Sequence, residues 1–325
     1  MSTLRVAVIA GGPSAEANVS RSSARAVRAA LEGGGLAASV LELDATLAGA
    51  LAGFDVAFPV THGPLGEDGC LQGLLEVLGL PYVGSGVLAS ALAASKPHAK
   101  ALFRRDALPV ADELVVDQHE GLEAALARVR ARFSGWVVVK PASGGSAIGT
   151  SRVEVGAPAL SSALEGAFEL DASVLVERFV QGLEVTCGVL EDASGARALP
   201  PTLITSKAAD WYDFTSRYAA GGSEHQCPAP LPERVTERVQ GVALGAFRAL
   251  GCRDLGRVDF VVAEGDDPAG VTLLEVNTLP GMTSTSLFPE AALAMGIDFP
   301  SLCAGLARRA HARPVRRRPA ELPMP

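Results

Sequence analysis

The sequence predicts a protein of mixed α/β and α+β class, and three observations carry that prediction. Residues 4–10, LRVAVIA, form a continuous apolar run suited to a central parallel strand, and a glycine turn then leads into the helical pattern SRSSARAVRAALEGG. The next β-like runs, AASVLELD and FDVAFPVTHG, alternate with helical or turn material, the arrangement of a parallel sheet wrapped by helices. Late in the chain, RVDFVVAE and VTLLEVN flank a polar GDDPAG connection, which reads as an antiparallel hairpin.

A chain of 325 residues with 48% hydrophobic and 20% charged residues has ample material for a core and for two or three domains. The formal net charge of -8 removes any general electrostatic case for nucleic acid or an anionic membrane, although a local basic pocket still suits a small anion. Five widely spread cysteines make neither a CxxC pair nor a disulfide framework. MSTLRVAVIAGG could pass for a short signal sequence, but its apolar run ends in a glycine turn followed by charged residues and no apolar span reaches 18 residues, so a cytoplasmic location is expected.

Taken in order, each loop of the first half carries polar chemistry. GGPSAEANVS follows the first strand, where a turn into a helix start suits a small polar or anionic ligand, but GGPSAE is not GxGxxG and the dinucleotide fingerprint is absent. THGPLGEDG places His62 and Glu67 at the carboxyl side of a predicted parallel strand, where open sheets bind ligands; a histidine capping the turn is the plain alternative. A boundary is expected near residues 92–96, and then SKPHAKALFRRDALPVADELVV reads as helix followed by extended chain. Leu122 to Arg132 is an amphipathic helix candidate. GWVVVKPASGGSAIG ends a β-run in Lys140 and continues into a glycine-rich flap. The lysine precedes the glycines, so this is no Walker A motif, yet Lys140, Ser143, Ser146 and backbone N–H groups suit a phosphate.

VLVERFV is a short β-run whose backbone beside Phe179 suits an adenine ring, with Glu177 and Glu184 within reach of ribose hydroxyls; by strand alternation alone both glutamates face solvent. Residues 204–228 crowd Trp211, Tyr212, Phe214 and Tyr218 together with Lys207 and Arg217, which favours an ordered loop able to act as a lid. PERVTERVQGVALGAFRALGC gives a helix, and AALAMGIDFPSLCAGLARRA one or two more. In the hairpin, strand periodicity puts Arg257 and Asp259 on one face, and Glu275 and Asn277 on one face of its partner. Acids on a strand face ordinarily meet water, but LLEVN is apolar enough to be buried, and a buried carboxylate requires a metal or another partner. Oxygen donors alone suit Mg²⁺, completed by waters and phosphate oxygens. In the following LPGMTSTS, Gly281 is expected to allow a tight turn, and hydroxyls and N–H groups can face an anion.

These motifs, in this order, resemble the D-alanine:D-alanine ligases of the ATP-grasp superfamily. The resemblance runs from GGPSAEANVS through HGPLGEDG, VVVKPASGGSAIG, VLVERFVQGLEV, YDFTSRY and GRVDF to LLEVNTLPGMTSTSLFP, covering residues 5 to about 310. It implies a Rossmann-like N-terminal substrate domain (1–94), then a two-part ATP-grasp fold (95–179 and 180–310), and a flexible tail (311–325). It implies a homodimer and a reaction in which one D-alanine carboxylate attacks the γ-phosphate of ATP. The resulting D-alanyl phosphate is then attacked by the amine of a second D-alanine, in the service of peptidoglycan synthesis.

Carried over by resemblance, Glu16 holds the first ammonium with help from His62. Lys96, Lys140, Lys207 and Arg217 approach the phosphates, and Glu16, Ser146 and Tyr218 form a group closing the site. Glu177, Phe179 and Val180 clasp adenine, and Glu184 meets the ribose. Asp259, Glu275 and Asn277 hold two Mg²⁺ ions, with Mn²⁺ as an alternative. Arg257 and the Gly281 backbone stabilise the oxyanion, and Ser286 and Leu287 place the second carboxylate. Two positions depart from the family: Arg217 stands where lysine is common, and the SGGSA flap lacks side chains often present. The rivals are a D-alanine:D-lactate ligase, disfavoured by Tyr218 in an intact YDFTSRY, another carboxylate–amine ligase, and a catalytically silent ATP binder.

Overall fold

The computed structural model of the protein describes residues 3–145, 147–206 and 222–313. Three sheets organise these residues. The first is parallel, in the order β2-β1-β3, built from β1 (Arg5–Ala10), β2 (Ala37–Glu42) and β3 (Val56–Pro59). Its central strand β1 is almost wholly buried, as its unbroken apolar sequence requires. Helix α1 (Ala17–Gly33) covers one face, with the short α2 (Leu47–Ala50) and α3 (Cys70–Leu78) completing the unit.

Two connected helices, α4 (Val87–Ala94) and α5 (Lys96–Arg105), meet at Ser95, inside the expected boundary region. The second sheet follows, with β4 (Glu113–Asp117), β5 (Trp136–Pro141), β6 (Ser151–Glu154) and β7 (Ser173–Arg178) in the antiparallel order β4-β7-β5-β6. Helices α6 (Leu122–Arg132) and α7 (Ala159–Phe168) bury Leu126, Val129, Leu160 and Leu164 against it. The span of α6 is the one its amphipathic pattern predicts.

The third sheet runs β11-β10-β8-β12-β13, with β9 paired to β8 outside that path. Its strands are β8 (Leu183–Asp192), β9 (Gly195–Ala198), β10 (Thr202–Ser206), β11 (Ser223–Gln226), β12 (Leu255–Val262) and β13 (Val271–Asn277). Helix α8 (Glu233–Ala249) packs Val235, Val239, Val242 and Phe247 on it, together with Ala99 and Phe103 of α5.

The chain closes with α9 (Leu287–Ala294) and α10 (Phe299–Ala312). Leu302 and Leu306 of α10 share a core with Val27 and Leu31 of α1, so the last helix returns to the first sheet. Buried Asp254 secures the same junction: its Oδ2 accepts the Gly84 N–H at 2.8 Å and its Oδ1 faces Arg309 and Arg313. Helix α10 continues through Ala312, past the start expected for the tail, and residues 314–325 lie outside the described residues. No single helix among the described residues is long and apolar enough to cross a membrane.

Candidate active site

The late hairpin pairs as its periodicity predicts, with Arg257 opposite Asn277 and Asp259 opposite Glu275. Asp259 is buried, and among the described residues its carboxylate accepts from Arg257, Asn277 and Thr186. Arg257 donates from Nε and Nη2 at 2.9 Å each, Asn277 Nδ2 at 3.0 Å, and Thr186 Oγ1 at 2.6 Å. Thr186 is brought in by β8, whose register sets it opposite Asp259. Nothing in the local pattern of LEVTCGV marks it, because only the β8–β12 pairing creates the contact.

A β-bulge between Asp259 and Phe260 breaks the register and leaves Leu274 as the extra residue of β13. Leu274 and Glu275, though consecutive, therefore both line the cavity described next, which regular alternation would forbid.

That cavity, of about 1100 Å³, lies between the second and third sheets. Its polar end is bounded by Glu16, Lys96, Lys140 and Glu275, and its apolar end by Trp136, Val138, Phe179 and Val180, and Glu184 of β8 also lines it. The Arg152 guanidinium lies over both aromatic rings of the apolar end, 5.2 Å from the Trp136 centroid and 5.1 Å from that of Phe179. Neither Trp136 nor Arg152 stands out in the sequence; β5–β6 pairing brings them together.

The flap between β5 and β6 curls over the polar end, with Gly144 and Gly149 at positive φ. Lys96 Nζ donates to the Gly144 carbonyl at 2.6 Å, tying α5 to the flap. The Ser143 N–H, expected to face a phosphate, instead donates to Asp171 Oδ2 at 2.8 Å and anchors the flap's start. Burial, its largest influence, pulls the Lys96 pKa down despite the carboxylate of Glu275. Lys140 is buried as well, but Glu177 and Glu275 outweigh burial and raise its pKa.

Glu177 differs from its solvent-facing expectation: it is 3% exposed and lies between the ammonium groups of Lys100 and Lys140. Burial alone would push its carboxyl upward, but those two lysines hold it at about 2. Glu184 is half-buried rather than fully solvent-facing.

The parallel neighbours β1 and β3 end side by side, so the loops that follow them meet. Ser20 of α1 fastens this corner, accepting the Gly11 N–H at 2.9 Å and donating to the Val60 carbonyl at 2.7 Å. Glu16 precedes α1, and buried His62 feels both the Glu16 carboxylate and the Arg257 guanidinium; burial dominates and lowers its pKa. Glu67 accepts the Gly63 N–H at 2.8 Å, yet burial beside Glu16 and Glu275 pushes its carboxyl up to about 7.

Gly281 corrects an expectation. Its φ is not positive, so no tight left-handed turn requires it; a Cβ there would meet Ser286 Oγ at 3.1 Å. Ser286 precedes α9, and its hydroxyl accepts the Thr283 N–H at 3.1 Å, while Leu287 opens that helix. Arg257, Asp259, Asn277, His62, Gly281, Ser286 and Leu287 do not line the large cavity. Asp259 and Asn277 instead adjoin it through Glu275 on the hairpin. Ser146, Lys207, Arg217 and Tyr218 lie outside the described residues.

Against known proteins, the family pattern described as "D-ala D-ala ligase C-terminus" matches residues 102–308, and "D-ala D-ala ligase N-terminus" matches residues 41–85. The chain belongs to the D-alanine:D-alanine ligase family. It is thereby a ligase of the ATP-grasp superfamily, with a Rossmann-like N-terminal unit ahead of the ATP-grasp sheets. A D-alanine--D-alanine ligase of Oleidesulfovibrio alaskensis is 43% identical over 303 residues, 92% of this chain and 94% of that one. One from Geobacter sulfurreducens is 44% identical over 306 residues, covering 93% and 92%. Among solved structures, the D-alanine-D-alanine ligase of Coxiella burnetii superposes with a TM-score of 0.79 at 27% identity, covering 95% of each chain. The VanG D-Ala:D-Ser ligase of Enterococcus faecalis gives 0.83 at 27% identity, covering 95% of this chain and all of that one.

Proposed function

We propose that this protein joins two D-alanines into D-alanyl-D-alanine at the expense of ATP, through a D-alanyl phosphate, to supply peptidoglycan synthesis. The observation that carries the reading is a single cavity with two ends. An aromatic, half-buried clasp lies at one end, and Lys96 and Lys140 face Glu275 at the other. The clasp suits a flat base, and the two lysines suit the phosphates of ATP. The close relatives supply the substrate class.

The residues of the hairpin fit Mg²⁺, with Mn²⁺ as an alternative. Asp259, Glu275 and Asn277 offer only hard oxygen ligands, and among the described residues no cluster of three or more His, Cys, Asp or Glu side chains forms a cage. Water and phosphate oxygens would fill the remaining positions. When bound there, the ions supply charge neutralisation for the transferring phosphoryl group.

The chain's own residues do the rest. Lys96 and Lys140 orient the phosphates, and Lys96 at the same time holds the Gly144 carbonyl of the flap above them. Glu16, beside His62, receives the ammonium of the first D-alanine and turns its carboxylate toward the polar end. Arg257, fixed by two hydrogen bonds to Asp259, directs positive charge at the acyl oxygen as the second amine attacks. Glu177, Phe179 and Val180 would hold adenine, Glu184 the ribose, and Gly281, Ser286 and Leu287 the second D-alanine. Ser146, Lys207, Arg217 and Tyr218 keep the roles that the resemblance implies, and a homodimer is part of the same proposal.

A second reading, favoured by the superposition on a D-Ala:D-Ser ligase, keeps the first half-reaction and changes the second nucleophile. Release of ADP and phosphate from Mg-ATP, measured with D-alanine alone, D-alanine plus D-serine, D-alanine plus D-lactate, and L-alanine, separates the two. Stoichiometric ADP, phosphate and dialanine by mass from D-alanine alone support the proposal. Turnover that demands D-serine or D-lactate overturns the second-substrate assignment, and no turnover under any condition returns the protein to a silent nucleotide binder.

A further inference from the structure

Behind Lys140 and Glu177 in the cavity wall lies a row of charge whose other members, Lys100, Glu113 and Arg104, the reaction as described leaves unused. The strands β4 and β7 set Glu113 opposite Glu177. Two carboxylates in facing positions repel one another, and both side chains are buried, 7% and 5% exposed. Lys100 enters between them from α5. It is the one fully buried lysine among the described residues, with Nζ 3.8 Å from Glu113 and in direct contact with Glu177.

Helical spacing extends the row, since Lys96, Lys100 and Arg104 follow one another at intervals of four on one side of α5. Arg104, near the surface, pairs with Glu113; Lys100 sits between Glu113 and Glu177; Lys140, at the cavity wall, pairs with Glu177. The charges alternate from solvent to cavity as plus, minus, plus, minus, plus.

The order matters more than the sum. With Arg104 paired to Glu113 and Lys100 sharing Glu177, that carboxylate offsets only part of the Lys140 charge, and more of it is left to the cavity. Without Lys100, Glu177 draws chiefly on Lys140, with Lys96 acting on it less closely, and the Lys140–Glu177 pair moves toward neutrality as seen by a phosphate.

We propose that Lys100 is a positioning residue for nucleotide binding: its ammonium shares in compensating Glu177, so that less of the Lys140 charge is offset by that carboxylate and more of it is offered to the phosphates. The inference rests on the assignment of this cavity to ATP. A fully buried lysine between two acids has a plain alternative, which is to keep Glu113 and Glu177 apart for the sake of the fold alone.

The two roles separate in a pair of variants. Lys100→Met alone buries an unbalanced acid and can fail to fold. Lys100→Met/Glu113→Gln removes one charge of each sign, so stability is recovered, but Glu177 still lacks its second lysine. The readouts are dissociation constants for Mg-ADP and for adenosine by calorimetry on the full-length protein, the thermal midpoint, and KM for D-alanine. In the double variant we expect the thermal midpoint near the wild-type value and adenosine affinity and KM for D-alanine within twofold. Mg-ADP should bind roughly tenfold more weakly, about 1.4 kcal/mol. Mg-ADP affinity within twofold of wild type overturns the inference and leaves Lys100 a fold residue. Equal loss for adenosine and Mg-ADP also overturns it, since the pocket's shape and not its charge has then changed. Wild-type protein that binds no ADP refutes the nucleotide assignment itself, and the inference with it.

Discussion

Replacing Arg257 by methionine separates its bond to Asp259 from its action on substrate. In the folded protein the guanidinium and the carboxylate share two hydrogen bonds of 2.9 Å, with side-chain exposures of 15% and 12%. Removing one partner of a buried pair costs about 3–5 kcal/mol. Asp259 retains Thr186 and Asn277 as donors, which puts the cost at the lower end, about 3 kcal/mol. For 325 residues at about 2.1 cal/mol/K each, the unfolding entropy is about 0.7 kcal/mol/K, so the melting temperature falls by about 4 °C. A smaller cooperative unit shifts further. Loss of the charge aimed at the acyl oxygen should separately lower turnover by about 10²–10³. The double variant Arg257→Met/Asp259→Asn no longer buries an unpaired acid, so its melting temperature should return to near wild type while turnover stays low. Differential scanning fluorimetry and coupled ADP release read the two effects on the same samples. Turnover of Arg257→Met within threefold of wild type, or recovery of turnover along with stability in the double variant, would reduce Arg257 to a structural partner of Asp259 and refute the oxyanion role.

Glu67 has its carboxyl raised from 4.5 to about 7 in the fold, mainly by burial, with Glu16 and Glu275 adding to the rise and the Gly63 N–H and Arg257 opposing it. An acid with a raised folded pKa binds its proton more tightly when folded, so stability falls as pH rises from about 4.5 to 7, by at most about 3 kcal/mol. Glu67→Gln should therefore melt higher than wild type at pH 8 and alike at pH 4.5; equal melting at both would show that Glu67 is not held in a desolvating site. Glu275→Gln should raise the Mg²⁺ concentration for half-maximal activity by about tenfold, roughly the effect of one weakened ligand contact. An unchanged Mg²⁺ titration would remove Glu275 from the metal set. Asp254 is fully buried at φ 64°, accepts the Gly84 N–H, and faces Arg309 and Arg313. Asp254→Ala should cost about 3–5 kcal/mol in urea unfolding while KM for ATP stays within twofold; a stable variant with altered KM would contradict its role as a junction between the first sheet and α10.

Much of the fold was legible because the chain obeys its periodicities. LRVAVIA, a continuous apolar run, became a buried central strand, Leu122–Arg132 became the helix its spacing describes, and period two put Arg257 with Asp259 and Glu275 with Asn277, although the bulge beyond Asp259 was needed to set the two pairs opposite one another. Glu16, Lys96, Lys140, Phe179, Val180 and Glu184, which the resemblance assigns to the site, all line one cavity. Periodicity is a local signal, decided by residue type and spacing along one element; the roles of the cavity residues came chiefly from the resemblance and not from spacing.

Tertiary structure decided the partners. Glu177, which alternation alone turns to solvent, is buried because β7 inserts between β4 and β5 and meets Lys100 of α5 and Lys140 of β5. Thr186 reaches Asp259 only through the pairing of β8 with β12, 73 residues apart in sequence. The bulge that turns both Leu274 and Glu275 into the cavity is invisible in VTLLEVN, since it depends on the strand across from it. Gly281 was read for its backbone freedom, whereas its φ is not positive and what a side chain there would meet is the Ser286 hydroxyl. A sequence determines what each residue can donate, accept or bury; which charge faces which is fixed by strand order and helix docking, because electrostatic and hydrogen-bond partners act over a few ångströms of space and not along the chain.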